Sequence, residues 1–298
     1  MVMARALLRF RLTQLNTSSA LNKMNKKLTS LLLTGSLVLG VSPILASTVD
    51  ITVADNDPTA NWFGTDSRAF TGHEDNETEF GTINSQVWDM EAFVVSGSTL
   101  YIVGGYNMQA GEDGWKPGDL FIKVGGSNPT YNPLTVGETT ISNSLYGYSY
   151  AVDLSQPVGA TGSTASAYAL ANTSTLDTVN WGDRGANPWR YDSGGSLTAN
   201  SAINYSSGHA DGDAALVALG LGGLTGGSHN ILSVDLSFLS VAAGTDVFFS
   251  YTMECGNDSL KGEYGGGFDR VPDATSSALL IGLGLATMSV VGLKRRKS

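Results

Sequence analysis

Between Ser47 and Asp273 no apolar run sustains a 3.6-residue period, and glycine interrupts the chain throughout. Of the 37 glycines, 32 fall within these 227 residues, near 14%, against about 7% in ordinary proteins. Each interior glycine costs a helix about 1 kcal/mol, and each supplies the backbone freedom that tight turns need. Short apolar runs separated by turns are what this pattern permits. About ten such runs, with no repeat of fixed period, predict an all-β chain: a single jelly-roll-like β-sandwich over residues 47–260.

The runs are placed by alternation. Thr48–Val53 alternates Val and Ile with polar residues, as a first strand does. Gln86–Tyr106 holds two apolar runs around Ser96-Gly97-Ser98-Thr99, the pattern of a β-hairpin. Asp119–Gly125 is the next strand, with Tyr146–Leu154 as its partner. Ser166–Ala171, His229–Leu239 and Asp246–Cys255 follow, the last with Val247, Phe249, Tyr251, Met253 and Cys255 on one face. Ala214–Leu224 is apolar with three glycines and reads as a buried strand and its turn. Residues 59–82 read as a long loop, and 261–270 as a flexible Gly-rich linker.

The two ends differ from everything between them. Lys23, Lys26 and Lys27 precede the apolar run Leu31–Val41, and Pro43-Ile44-Leu45-Ala46 offers a cut before Ser47. That is the layout of a secretory signal peptide over residues 1–46, handled by the Sec export machinery and signal peptidase. Met24 alone would start a signal of ordinary length, so 1–23 is either part of it or a misassigned upstream start. At the other end Val271-Pro272-Asp273 precedes Ala274–Leu293, 20 residues without a charge, and then Lys294-Arg295-Arg296-Lys297. At about 1.5 Å per residue such a helix covers roughly 30 Å, the hydrocarbon core of a bilayer. The basic cluster stays on the cytoplasmic side, which leaves everything before Val271 outside.

Between these ends lie all 27 acidic residues but only 7 of the 17 basic ones, a formal charge of −20 against −10 for the full chain. Such a surface repels nucleic acid and anionic lipid, and attracts divalent cations. A single cysteine, Cys255, excludes an internal disulfide framework. On the apolar face of its strand it is expected to be a buried thiol, not a nucleophile.

A short motif, one span and an Arg-rich end closely resemble the PEP-CTERM sorting tail, in its Val-Pro-Asp variant. Three internal motifs are similar to those of other exosortase-sorted proteins: Asp89-x-Glu91-Ala92, Leu100-Tyr101-Ile102-Val103 and Gly118-Asp119-Leu120-Phe121-Ile122. Thr252-Met253-Glu254-Cys255-Gly256-Asn257-Asp258 resembles the end of their surface domains, and the first three motifs bear a fainter likeness to family-nine carbohydrate-binding modules. The resemblance implies transient membrane insertion through the C-terminal helix and cleavage by an exosortase near Val271-Pro272-Asp273. The product is then a non-enzymatic protein of the cell surface or extracellular matrix, in bacteria that make exopolysaccharide. A plain single-span anchor is the alternative for the tail. For the exported domain the alternatives are a polysaccharide-binding module and, behind it, a glycosidase.

Candidate sites follow from residue type and spacing. Asp75-x-Glu77-x-Glu79 offers oxygen ligands at alternate positions, as calcium loops do, although Phe80 and Gln86 stand where an EF-hand needs Gly and Glu. A structural Ca²⁺ is the one cofactor these residues suggest; a solvated acidic loop is the alternative. Asp89 and Glu91 share a strand face, as the acid and nucleophile of laminarinase-like glycosidases do, at about 5–5.5 Å for retention. Val87 and Val94 leave that pattern incomplete, so a cation site or a polar face competes with catalysis. Trp115, beside Glu112 and Asp113, and Trp189 with Tyr191 stand in polar loops where indoles stack sugar rings; loop anchors are the other reading. His73, His209 and His229 lack zinc spacing and are expected at the surface.

Overall fold

Strands begin wherever an alternating run allows them. The structure, a computed structural model, describes residues 47–53, 72–79, 82–127, 129, 137, 139–154, 162–181 and 186–265. All of these belong to one compact unit, Ala46–Val271. The expected signal peptide, the expected cut sites at Ala46 and at Val271, Pro272 and Asp273, the expected sorting helix and the cluster Lys294, Arg295, Arg296 and Lys297 lie outside the described residues. Among those described, no helix is long and apolar enough to cross a membrane.

The secondary structure of the described residues is almost all β, as the glycine density and alternation predict. Ten strands form one antiparallel sheet: β1 (Thr48–Asp50), β2 (Met90–Ser96), β3 (Thr99–Gly104), β4 (Leu120–Val124), β6 (Tyr150–Asp153), β7 (Ser163–Ala169), β10 (Ser196–His209), β11 (His229–Asp235), β12 (Val247–Thr252) and β13 (Ser259–Tyr264). Their order is β1-β2-β3-β11-β10-β7-β6-β4-β12-β13. A smaller sheet is made of β5 (Thr140–Ser142), β8 (Thr175–Asp177) and β9 (Arg190–Ser193). The β2–β3 hairpin turns through Gly97 and Ser98, with φ +60° at Gly97 alone. Positive φ at the first of two turn residues is the II′ arrangement, whose twist matches the strands and which asks for Gly there.

A jelly-roll sandwich has two separate sheets; here a single sheet curls until its edges meet. Ile51 donates to Phe93 O of β2 at 2.9 Å, while Val53 donates to Lys261 O of β13 and Glu263 of β13 donates to Ile51 O, each at 3.0 Å. Thr52 pairs antiparallel with Gly262. The first strand thus bridges β2 and β13 and satisfies both edges. Gly262 is required at this junction, because a Cβ there would meet the Phe93 ring at 2.9 Å and Ile51 at 3.3 Å. Residues 261–264, expected as the start of a flexible linker, are instead part of β13. Their glycine serves close packing, and composition alone does not separate that role from flexibility.

Alternation sorts the side chains between inside and outside. Phe93, Val95, Leu100, Ile102, Leu120, Ile122, Leu232, Val234, Phe249, Tyr251 and Leu260 meet in one interior cluster. Cys255 joins them at 1% exposure, and burial pushes its thiol up to about 11, as expected of a structural cysteine. Ala92, Val94, Val103 and Ile231 face outward beneath Leu216, Leu219, Leu221 and Leu224. The first of these leucines lies on α1 (Ala214–Ala218), where the sequence predicts a strand. Asp213 caps this helix by accepting from the Ala215 N–H at 2.8 Å, and Gly220 (φ +83°) ends it. Five residues are too few to display a helical period.

Candidate functional site

The outer face of β2 carries charge at the one end where α1 leaves it uncovered. β2 bulges there: Met90 pairs with Gly104 and Ala92 with Val103, so Glu91 is the extra residue. The bulge leaves Glu91 beside Asp89, just before the strand. The segment 72–79 crosses over them, held by Glu74 N donating to Glu91 O at 2.8 Å. One carboxylate oxygen from each of Asp75, Asp89 and Glu91 lies within 4.8 Å of the others.

Each carboxylate is fixed by different donors. Asp89 accepts from the N–H of Asn76 at 3.0 Å and of Glu77 at 3.2 Å. Asn76 sits at φ +65°, a left-handed conformation that Asn tolerates better than most residues. Asp75 accepts from Thr225 N at 3.2 Å and Oγ1 at 2.9 Å. Glu91 accepts from Gln86 Nε2 and meets His229 Nδ1, both at 2.8 Å. The other His229 nitrogen lies 3.0 Å from Asp211 Oδ1. With a carboxylate against each ring nitrogen, the doubly protonated imidazolium satisfies both.

Burial decides the protonation. Asp89 is 1% exposed and Glu91 and His229 are 0% exposed. Burial, then the charge of Glu91, raises Asp89 to about 7 against the two backbone N–H groups. Burial also raises Glu91, opposed by the hydrogen bonds of Gln86 and His229. For His229 burial acts downward, but hydrogen bonds and charges from Glu91 and Asp211 outweigh it and the imidazole is raised. Asp211 is lowered by its bonds to His229 and to Gly227 N–H. Asp258, beneath the same strand end and donated to by Met90 N, is raised by burial and then by Glu77, Asp89 and Glu79.

Asp75, Asp89 and Glu91 converge with the oxygen ligands that a hard divalent cation prefers, in place of the protons that burial favours on Asp89 and Glu91. The same burial works against glycosidase chemistry. Carboxylates at 1% and 0% exposure, with hydrogen bonds already on their oxygens, offer no room for a pyranose ring between them.

Of the expected metal ligands Asp75, Glu77 and Glu79, only Asp75 belongs to this group among the described residues. The segment bends once, at Asn76, and its residues reach different neighbours. Glu77 gives its backbone N–H to Asp89, and Glu79 accepts from Ser259 Oγ and lies 3.6 Å from Lys261 Nζ. Asp89 and Glu91 do converge, as their spacing predicts. His229 is a correction: it is buried, not on the surface, because it opens β11 on the face that α1 and its following loop cover. Gln86, Asp211 and Thr225 were not legible as partners. Only the alternation of His229 and Ile231 with Asn230 and Leu232 pointed to the shared face.

The tryptophans do not form the expected sugar platform. Trp189 is 0% exposed, packed with Val179 and Ala186, with the Arg190 guanidinium 4.8 Å from its ring centroid. Arg190 is held in turn by Asp177 at 2.6 Å. Tyr191 is half-buried and stacked on Tyr168 at 4.6 Å, its hydroxyl accepting from Gly195 N–H. Trp115 is half-buried against the interior cluster, following a turn with positive φ at Asp113 and Gly114. Trp189 is therefore a buried anchor, the other reading of that residue, while Tyr191 lies on β9 and Trp115 is partly exposed. Comparison of the chain with protein families, curated proteins and solved structures gives no match.

Proposed function

We propose that the chain is an exported, non-enzymatic protein of the cell surface or extracellular matrix, processed at both ends and handed to an exosortase. In this reading its curled, sandwich-like β unit is locked by a divalent cation, Ca²⁺ by ligand type, at Asp75, Asp89 and Glu91. The observation that carries the reading is the extent of the folded unit. Its described strands run from Thr48 in β1 to Tyr264 in β13, inside the bounds that the two cuts would leave. Intact mass of protein recovered from the native cell surface tests it: the chain should begin near Ser47 and lack Ala274–Ser298. A stable membrane-embedded product that still carries Lys294–Lys297 would replace sorting with a plain anchor.

The cation makes a separate prediction. Asp89, Glu91 and His229 are all held above their ordinary values, so the folded chain binds more protons than the unfolded one. For Asp89 that stabilisation is complete below the unfolded carboxylate value of about 3.9 and is lost as pH rises through about 7; Glu91 and His229 act in the same direction. Asp211 and Asp213 are shifted the other way, but both are solvent-screened. In EDTA the melting temperature should therefore fall between pH 5 and 8. Millimolar Ca²⁺ should restore it at pH 8 more than NaCl of equal ionic strength does. Equal effects of the two salts would reduce calcium to screening.

A further inference from the structure

We propose that Ser206, His209 and Asp213 form an acyl-transfer site, which would replace the non-enzymatic part of the reading above and leave export and sorting untouched, and which takes short, unhindered esters such as acetyl esters on a bulky carrier. Ser206 is exposed near the end of β10, with Oγ 2.9 Å from His209 Nε2. The other ring nitrogen, Nδ1, lies 3.2 Å from Asp213 Oδ1. This is the order an activated serine needs. The carboxylate holds the proton on Nδ1, which leaves the Nε2 lone pair directed at the hydroxyl.

Strand spacing alone does not make this arrangement, since residues three apart on a regular strand point to opposite faces. β10 bulges here: Ser206 pairs with Ile231 and His209 with His229, so Ser207 and Gly208 together face Asn230. Gly208 takes φ +75°, and the distortion returns His209 to the side of Ser206. Asp213 is pinned independently, because the same Oδ1 accepts the Ala215 N–H at 2.8 Å. That bond, with the one to His209, keeps its carboxyl below the usual range. The bulge also takes the backbone of Ser207 and Gly208 out of regular pairing beside the nucleophile, where an oxyanion donor has to sit. Ser206, Ser207 and Gly208 are exposed, and a Cβ on Gly208 would meet nothing within 4 Å. An approach this open admits an ester carried by a large group and favours a short acyl chain.

In the step, Ser206 Oγ bonds to the ester carbonyl carbon as its proton passes to His209 Nε2. The tetrahedral adduct collapses, the carbon–oxygen bond to the leaving alcohol breaks, and that alcohol takes the proton from Nε2. Water then attacks the acyl carbon of acyl-Ser206 and gives a proton to Nε2; the bond from that carbon to Oγ breaks, Oγ takes the proton from Nε2, and the carboxylic acid leaves. Ser206 and His209 are the catalytic residues; Asp213 is a positioning residue.

The full chain incubated with p-nitrophenyl acetate should release p-nitrophenolate and carry one acetyl group on the peptide containing Ser206. Ser206→Ala should abolish the acetyl mark and slow release by about 100-fold or more, as should His209→Gln. Ser196→Ala, exposed at the other end of β10 and outside the site, should match the parent. Asp213→Asn should slow release and shift the imidazole ¹⁵N signals of His209 by moving its proton, a change that loss of the α1 cap alone does not produce. Release unchanged in both Ser206→Ala and His209→Gln, or acetyl groups found only on lysines, would overturn the assignment.

Discussion

Glu91→Ala is expected to destabilise the folded unit by about 3–5 kcal/mol, the range for removing one partner of a buried ion pair. Glu91 and His229 are both fully buried and meet at 2.8 Å, so the imidazole would keep only Asp211, on its solvent side. Urea melts at pH 7 measure the loss. Glu91→Gln should be milder, because its amide oxygen still accepts from one donor, yet it should blunt the response to Ca²⁺. A loss below about 1 kcal/mol for Glu91→Ala would place that corner among surface substitutions and remove the argument from burial.

Trp189→Ala should cost a similar amount, about 3–5 kcal/mol, as core truncations of large aromatics do. Its ring is enclosed by Val179, Ala186 and the Arg190 guanidinium, and its carbonyl accepts from Asp119 N at 2.7 Å. Polysaccharide retention in affinity electrophoresis should not change. Lost retention with stability intact would reverse this account and restore Trp189 to a binding face.

The parts of the fold that alternation describes were legible in the sequence. The β2–β3 hairpin, β4 with β6, and β11 and β12 fall where short apolar or alternating runs stand between turn residues. Two segments were not. Ala214–Ala218 is too short to show a helical period, and Gly262 hid a strand because a glycine kept for close approach looks the same as one kept for flexibility. The site divides in the same way. Asp89 and Glu91 are neighbours in sequence, so their pairing could be read. Thr225 lies 150 residues from Asp75, and His229 lies 138 from Glu91, so only the register of the sheet brings them together. Burial was the other hidden quantity. A chain with so many carboxylates reads as acidic surface, and nothing local marks the few that the 72–79 segment covers.

Closure of the sheet by Ile51–Val53 against β13 also fixes how the domain bears tension. Glu263 faces Ile51, and Lys261 faces Val53, so the chain enters and leaves at the same end of two antiparallel neighbours. A force drawing those ends apart would load the hydrogen bonds one after another, as a zipper opens, instead of sharing them in shear. A protein held by its C-terminal end alone never applies that force to itself. Held by both ends, it would open first at this seam, where the ring was closed.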